Sequence, residues 1–202
     1  MKRLKIGVLA SGGGSNLQSI INKSLDGSLS ADVVVVISNN SKSGALERAR
    51  KHGIDGLHIS SMTEGSEEAV DKRITGEMIS RGVDIVACAG YMKKLGAHLL
   101  KSFEGRILNI HPALLPKFGG KDMYGMRVHE AVIAAGEKES GATVHIVDGI
   151  YDHGKILAQV REPVKPNDTP ESLQKRILVK EHILFPNAIQ QIAEKWDGHI
   201  KE

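Results

Sequence analysis

The sequence predicts an α/β protein, a Rossmann-like, doubly wound and mostly parallel sheet with a mixed edge. Three observations carry this. Apolar runs of strand length recur along the chain, each followed by a helix-like segment. One run, Asp32 to Ser38, holds four successive valines and an isoleucine, the β-branched composition of a strand buried on both faces. Towards the C-terminus, two strand-like runs follow each other too closely for a crossover, so the sheet's edge is expected to be antiparallel.

Taken in order, Leu4 to Ala10 opens as a mostly apolar strand, and Asn16, Leu17, Ile20, Ile21 and Leu25 then recur at helical spacing. Gly44 to His52 reads as a short helix and Leu57 to Ile59 as a short strand. Ser66 to Arg81 is an amphipathic helix with Val70, Ile74, Met78 and Ile79 expected on one side. Val83 to Cys88 and Arg106 to Ile110 are strands on either side of a helix from Gly96 to Phe103. The pattern loosens through Pro112, Pro116, Gly119, Gly120 and Gly125 before a helix from about Arg127 to Ala135. Ala142 to Val147 and Lys155 to Val160 form the expected hairpin, joined by a turn containing Asp148, Gly149, Asp152 and Gly154. Thr169 caps a long helix running to about Trp196, with Pro170 at its first position.

Composition narrows the function. At roughly 150 residues per domain, 202 residues favour a single domain spanning 1–202. Aromatic residues make up 3%, too few for base-stacking platforms, and a net charge of +3 gives no footprint for a nucleic-acid partner. One cysteine cannot form an intrachain disulfide, and Cys88 sits in an apolar strand where an inert buried thiol is expected. Lys2, Arg3 and Lys5 precede an apolar run too short for a signal peptide, and nothing approaches the ~20 apolar residues of a membrane span. A cytoplasmic protein without membrane or nucleic-acid partners is expected, as a monomer or a homodimer. The nine histidines lack metal-ligand spacing and there is no C-x-x-C, so no metal is expected.

Two places carry chemistry. Ser11-Gly12-Gly13-Gly14-Ser15-Asn16 follows the first strand and opens the first helix, where backbone N–H groups and the helix N-terminus suit an anion. The specific fingerprints fail: Leu17 stands where both G-x-G-x-x-G and G-x-S-x-G need a glycine, and the Walker lysine is missing. A generic anion cradle and a purely structural turn both remain compatible with these glycines.

The second place is Asn109-Ile110-His111-Pro112. The two-residue period of a strand puts Asn109 and His111 on one side, and Pro112 holds His111 in extended geometry. An amide beside an imidazole at the carboxyl end of a buried strand can stabilise an oxyanion during acyl transfer. A carboxylate is expected to raise the pKa of His111 and keep it charged. Asp152 and Asp148 share one turn, and spacing does not choose between them.

Asn109-Ile110-His111-Pro112-Ala113-Leu114-Leu115-Pro116, together with the Ser11 to Asn16 loop and the His145 to Gln159 stretch, resembles the folate-dependent formyltransferases. The resemblance runs from Ile6 to about Pro186 and implies the formyltransferase fold. It implies 10-formyltetrahydrofolate as co-substrate and the small molecule glycinamide ribonucleotide as acceptor, in purine synthesis. It makes Asn109, His111 and Asp152 catalytic, Gly14, Ser15 and Asn16 phosphate-binding, and Glu181, before His182, a ribose contact. Folate-binding positions implied by it are Met92, Lys93, Lys94, Leu95, His145, Asp148 and Asp152. Many members carry Phe-Met-Arg-Ile-Leu where this chain has Tyr91-Met92-Lys93-Lys94-Leu95, so a specific arginine contact is absent here. The loop from Leu115 to Arg127 also departs from the commonest form, and its glycines permit either a mobile lid or an ordered irregular loop.

The alternatives are sister enzymes with the same signature, methionyl-tRNA formyltransferase or formyltetrahydrofolate hydrolase. Each normally carries an additional domain, for which 202 residues are expected to leave no room. From another class, a nucleotide-binding oxidoreductase is opposed by the failed fingerprints and a small-molecule sensor by the polar trio.

Overall fold

The computed structural model describes residues 3–200; Met1 and Lys2, part of the basic start considered above, lie outside the described residues. Seven strands form one sheet: β1 (Leu4–Leu9), β2 (Ala31–Ser38), β3 (Asp55–His58), β4 (Ile85–Cys88), β5 (Ile107–His111), β6 (Glu139–Ile146) and β7 (Ile156–Pro163). Their order is β3-β2-β1-β4-β5-β6-β7. The first five strands pair in parallel, whereas β5 with β6 and β6 with β7 are antiparallel, the second pair as its short hairpin connection required.

Seven helices accompany the sheet: α1 (Ser15–Leu25), α2 (Gly44–Lys51), α3 (Ser61–Glu64), α4 (Glu67–Ser80), α5 (Ala97–Ser102), α6 (Met126–Ala134) and α7 (Pro170–Glu194). Alternation along the strands feeds two apolar layers. Val36, Ile85 and Ala87 join the layer that includes Ile20 of α1 and Phe185 of α7. Val35, Ile37, Val86 and Cys88, one residue out of phase, pack with Ile74 and Met78 of α4 and with Leu99 of α5. Such two-sided burial is why the valine run carries no polar alternation.

The α7 N-terminus is closed as its sequence implies: the Thr169 hydroxyl accepts from Ser172 N–H, Ser172 returns a bond, and Pro170 occupies the first turn. Packing against α1, α6 and the β6–β7 edge holds α7 together despite Pro186 inside it. Among the described residues, no helix is long and apolar enough to cross a membrane.

Two expected core positions are corrected. Leu25 is 71% exposed and Ile79 is 58% exposed. At ~100° per residue, Leu25 lies about 80° round from Leu17, and Ile79 lies about 180° from Val70, so neither stays on its helix's buried face. The one-turn helix α3 was not expected; at its start Thr63 Oγ1 accepts from Ser60 N–H at 3.0 Å.

Candidate active site

The strand order reverses between β1 and β4, and the carboxyl ends of β1, β4 and β5 open there into a cavity of about 650 Å³. Both sequence-predicted features line it, from opposite ends. Gly12 to Asn16 form one wall, and Asn109, His111, His145 and Asp152 form another.

In the glycine loop the carbonyls are turned away from the cavity. Gly12 O accepts from Ala45 N–H at 3.2 Å, Gly13 O from Arg48 Nε at 2.8 Å, and Gly14 O from Gln18 N–H at 2.9 Å. Because C=O and N–H point oppositely across a trans peptide, the succeeding amides face the other way. Gly14 is the N-cap of α1 and offers no side-chain cap, so the helix's first N–H groups are left for a ligand. Only glycine fits there: its φ is 73°, and a Cβ would come within 2.7 Å of Ala45 Cα.

At the other end, Asn109 and His111 point to one side of β5, as the strand period required. The Asn109 amide donates to His145 Nε2 at 3.0 Å, and its nitrogen lies 3.5 Å from Asp152 Oδ1. His145 Nδ1 lies 3.0 Å from Ile146 O and must donate to it, which leaves Nε2 unprotonated to receive the amide. His145 of β6 therefore orients Asn109. His111 Nε2 donates to Phe118 O at 2.8 Å, and Asp152 Oδ2 accepts from Gly120 N–H at 2.9 Å. Phe118 and Asp152 both have left-handed backbones, with φ of 56° and 53°. These conformations turn the Phe118 carbonyl onto the imidazole and the carboxylate into the cavity.

The spacing left Asp148 and Asp152 undecided; the fold separates them. Asp152 Oδ2 lies 3.5 Å from His111 Nδ1 and Oδ1 lies 3.5 Å from His145 Nε2. Asp148 instead accepts from His153 Nδ1 at 2.7 Å and from Ile150 N–H, between Val147 and Gly149 of the cavity wall.

The expected charge on His111 is also corrected. Burial lowers its pKa, and the pull of Asp152 and the Phe118 carbonyl does not offset that. Burial acts to raise Asp152, but the polar groups around it, the Gly120 N–H among them, outweigh it and hold the carboxyl below its usual range. At rest an ionised carboxylate thus faces a neutral imidazole whose proton sits on Nε2. A separation of 3.5 Å, well beyond the 2.7–2.9 Å of a charge-assisted bond, fits that arrangement.

Of the remaining sequence-predicted positions, Met92, Lys93, Lys94 and Leu95 all line the cavity, with both lysines exposed. Glu181 of α7 is 7% exposed and accepts from Asn16 Nδ2 at 2.6 Å. Its burial pushes the carboxyl up to about 7. Cys88 is buried, with its thiol pushed up to about 12, in keeping with an inert group. One residue was missed: His129 of α6 lines the cavity at 2% exposure, its Nδ1 has no partner, and burial pushes it down to about 4. No local motif marks it; it arrives because α6 begins where the irregular loop returns to the cavity.

Comparison with known proteins agrees with this geometry. The family model described as formyl transferase matches residues 4–189. A curated relative named phosphoribosylglycinamide formyltransferase, chloroplastic, from Arabidopsis thaliana is 44% identical over 96% of this chain. Its namesake from Vigna unguiculata is 43% identical, also over 96%. This chain spans 68% of the first relative and 62% of the second. The crystal structure of glycinamide ribonucleotide transformylase 1 from Symbiobacterium toebii superimposes with a TM-score of 0.89 at 40% identity, covering 96% of this chain and 89% of that one. With the signature strand and the glycine loop meeting at one cavity, and a likeness that spans nearly the whole length, the chain belongs to the formyl transferase family.

Proposed function

We propose that the protein transfers the formyl group of 10-formyltetrahydrofolate to the amine of glycinamide ribonucleotide in purine biosynthesis, acting as a single formyltransferase domain. The observation that carries this is the arrangement of one cavity: backbone amides suited to a phosphate at one end, and Asn109, His111 and Asp152 at the other. The relatives named for this activity support it.

In this reading the acceptor's phosphate lies on the amides of Gly14, Ser15 and Asn16, its ribose contacts Glu181, and its amine reaches the formyl carbon. Attack forms the new C–N bond and places negative charge on the formyl oxygen. Asn109 has two amide hydrogens, one held by His145; the other, weakly held at 3.5 Å from Asp152 Oδ1 at rest, turns to that oxygen. The growing negative charge supplies the attraction His111 lacks at rest, so the imidazole takes up a proton from solvent as the intermediate forms and returns it as the intermediate collapses. Asp152 receives the proton released by the attacking amine, directly or through a water, and it passes to the departing N10 as the old C–N bond breaks. Met92 to Leu95, with His145, line the folate side; Lys93 and Lys94 add diffuse attraction for an anionic tail. A cytoplasmic location accords with the single buried thiol, although the plant relatives are named chloroplastic.

Incubation of the purified protein with 10-formyltetrahydrofolate and, separately, glycinamide ribonucleotide, initiator methionyl-tRNA or water tests this. Only the ribonucleotide should consume the formyl folate. Consumption with the tRNA or with water alone would transfer the assignment to a sister enzyme.

A further inference from the structure

Ser11 belongs to none of the roles above and does not line the cavity. It stands directly behind the cavity wall, 9% exposed, where three loops meet. Its hydroxyl accepts from Met92 N–H at 2.8 Å and donates to Asn39 Oδ1 at 2.5 Å. Its own N–H donates to Gly90 O at 2.9 Å. With its proton and a lone pair both engaged, the hydroxyl has a fixed orientation.

The two segments it joins are those assigned above to different substrates. On one side lies the glycine loop that would hold the acceptor's phosphate. On the other lies the stretch from Met92 to Leu95, which would hold the folate. Gly12 and Gly13 follow Ser11, and nothing lies within 4 Å of where a Cβ on either would stand, so this stretch keeps the backbone freedom of glycine. Gly90, at φ 78°, gives the second segment a similar pivot one residue before Tyr91. A ligand that orders either loop therefore orders the hydroxyl, and with it the main chain of the other.

We propose that the Ser11 hydroxyl is a positioning group that couples the two substrate subsites, so that filling one tightens binding at the other. This rests on the assignment of the two subsites in the proposed function. The bond from Ser11 N–H to Gly90 O is main chain and survives substitution, so Ser11→Ala removes the side-chain limb alone. Met92 N–H and Asn39 Oδ1 then lose their common partner.

The test is equilibrium binding of glycinamide ribonucleotide with and without saturating tetrahydrofolate, which lacks a formyl group and so permits no turnover. In the unsubstituted protein, tetrahydrofolate should tighten ribonucleotide binding about fivefold or more, the lower end of typical coupling between sites. Ser11→Ala should still bind both ligands, with the coupling reduced to within about twofold of none, and Ser11→Thr should restore it. A purely structural role would lower the melting temperature without abolishing the coupling. If Ser11→Ala does not fold, Asn39→Ala frees the hydroxyl and should at least halve the coupling. Equal coupling in the substituted and unsubstituted proteins, or none in the unsubstituted protein while both ligands bind, overturns the inference. Failure of either ligand to bind the unsubstituted protein overturns the functional reading instead.

Discussion

The two ends of the cavity recognise their ligands by different means. The glycine loop is built from backbone: three carbonyls turned outward, a helix start left uncapped, and a glycine that no other residue can replace. The Asn109 end is built from side chains that depend on one another, with His145 holding Asn109, Phe118 holding His111 and Gly120 holding Asp152. A backbone cradle tolerates side-chain change but not a change of φ. A side-chain cluster fails when any member loses its partner. Binding should therefore be the vulnerable quantity at the first end, and the chemical step at the second.

The largest effect should come from the side-chain end. Asn109→Ala removes the donor to the oxyanion and should lower kcat by about 10²–10³, with KM for the ribonucleotide within about threefold. His111→Ala should fall in the same range, read by steady-state kinetics. A rise in KM at constant kcat for either variant would break the division.

At the glycine loop, Gly14→Ala forces a side chain into a left-handed backbone against Ala45. It should cost about 1–3 kcal/mol in urea unfolding and raise KM for the ribonucleotide more than it lowers kcat. Retained stability and KM would contradict the account of the loop.

Glu181 joins the two regions chemically, because its buried carboxyl bonds Asn16 of the loop. Its pKa rises from 4.5 to about 7 on folding. The folded state therefore binds the extra proton between these values, and stability from this group is full below pH 4.5 and lost as the pH rises through 7. Glu181→Gln, which keeps a neutral side chain, should flatten the fall in melting temperature between pH 5 and pH 8. An unchanged pH profile would remove Glu181 as its source.

The smallest effect is expected at Lys93 and Lys94, which are exposed and stand free of a buried network. Either lysine changed to Ala should alter KM for the folate by no more than about threefold, and less at high salt. A larger effect would turn diffuse attraction into a specific contact.

How much of this was legible in the sequence follows from the same contrast. The valine run, the helix beginning Thr169-Pro170 and the pairing of Asn109 with His111 are local patterns, and local periodicity carries them. Asp152 could be separated from Asp148 only by resemblance, since a turn's sequence does not say which carboxylate faces inward. The neutral state of His111 was misread because proximity to a carboxylate is visible in a motif, whereas burial at 3% exposure is a property of the whole fold. The carbonyl of Phe118 reaches His111 from an irregular loop, where no period operates, and His129 reaches the cavity on a helix whose placement that loop sets. Leu25 and Ile79 show the limit of spacing itself: a helical repeat read one step too far leaves the buried face.

The most direct test of the division is single-turnover formyl transfer by Asp152→Asn beside the unsubstituted protein, with ribonucleotide binding measured on the same samples. The account predicts a rate at least about 10²-fold slower with ribonucleotide affinity unchanged within about threefold, because Asp152 moves the proton and the backbone cradle holds the phosphate. A transfer rate within about threefold of the unsubstituted protein would contradict it.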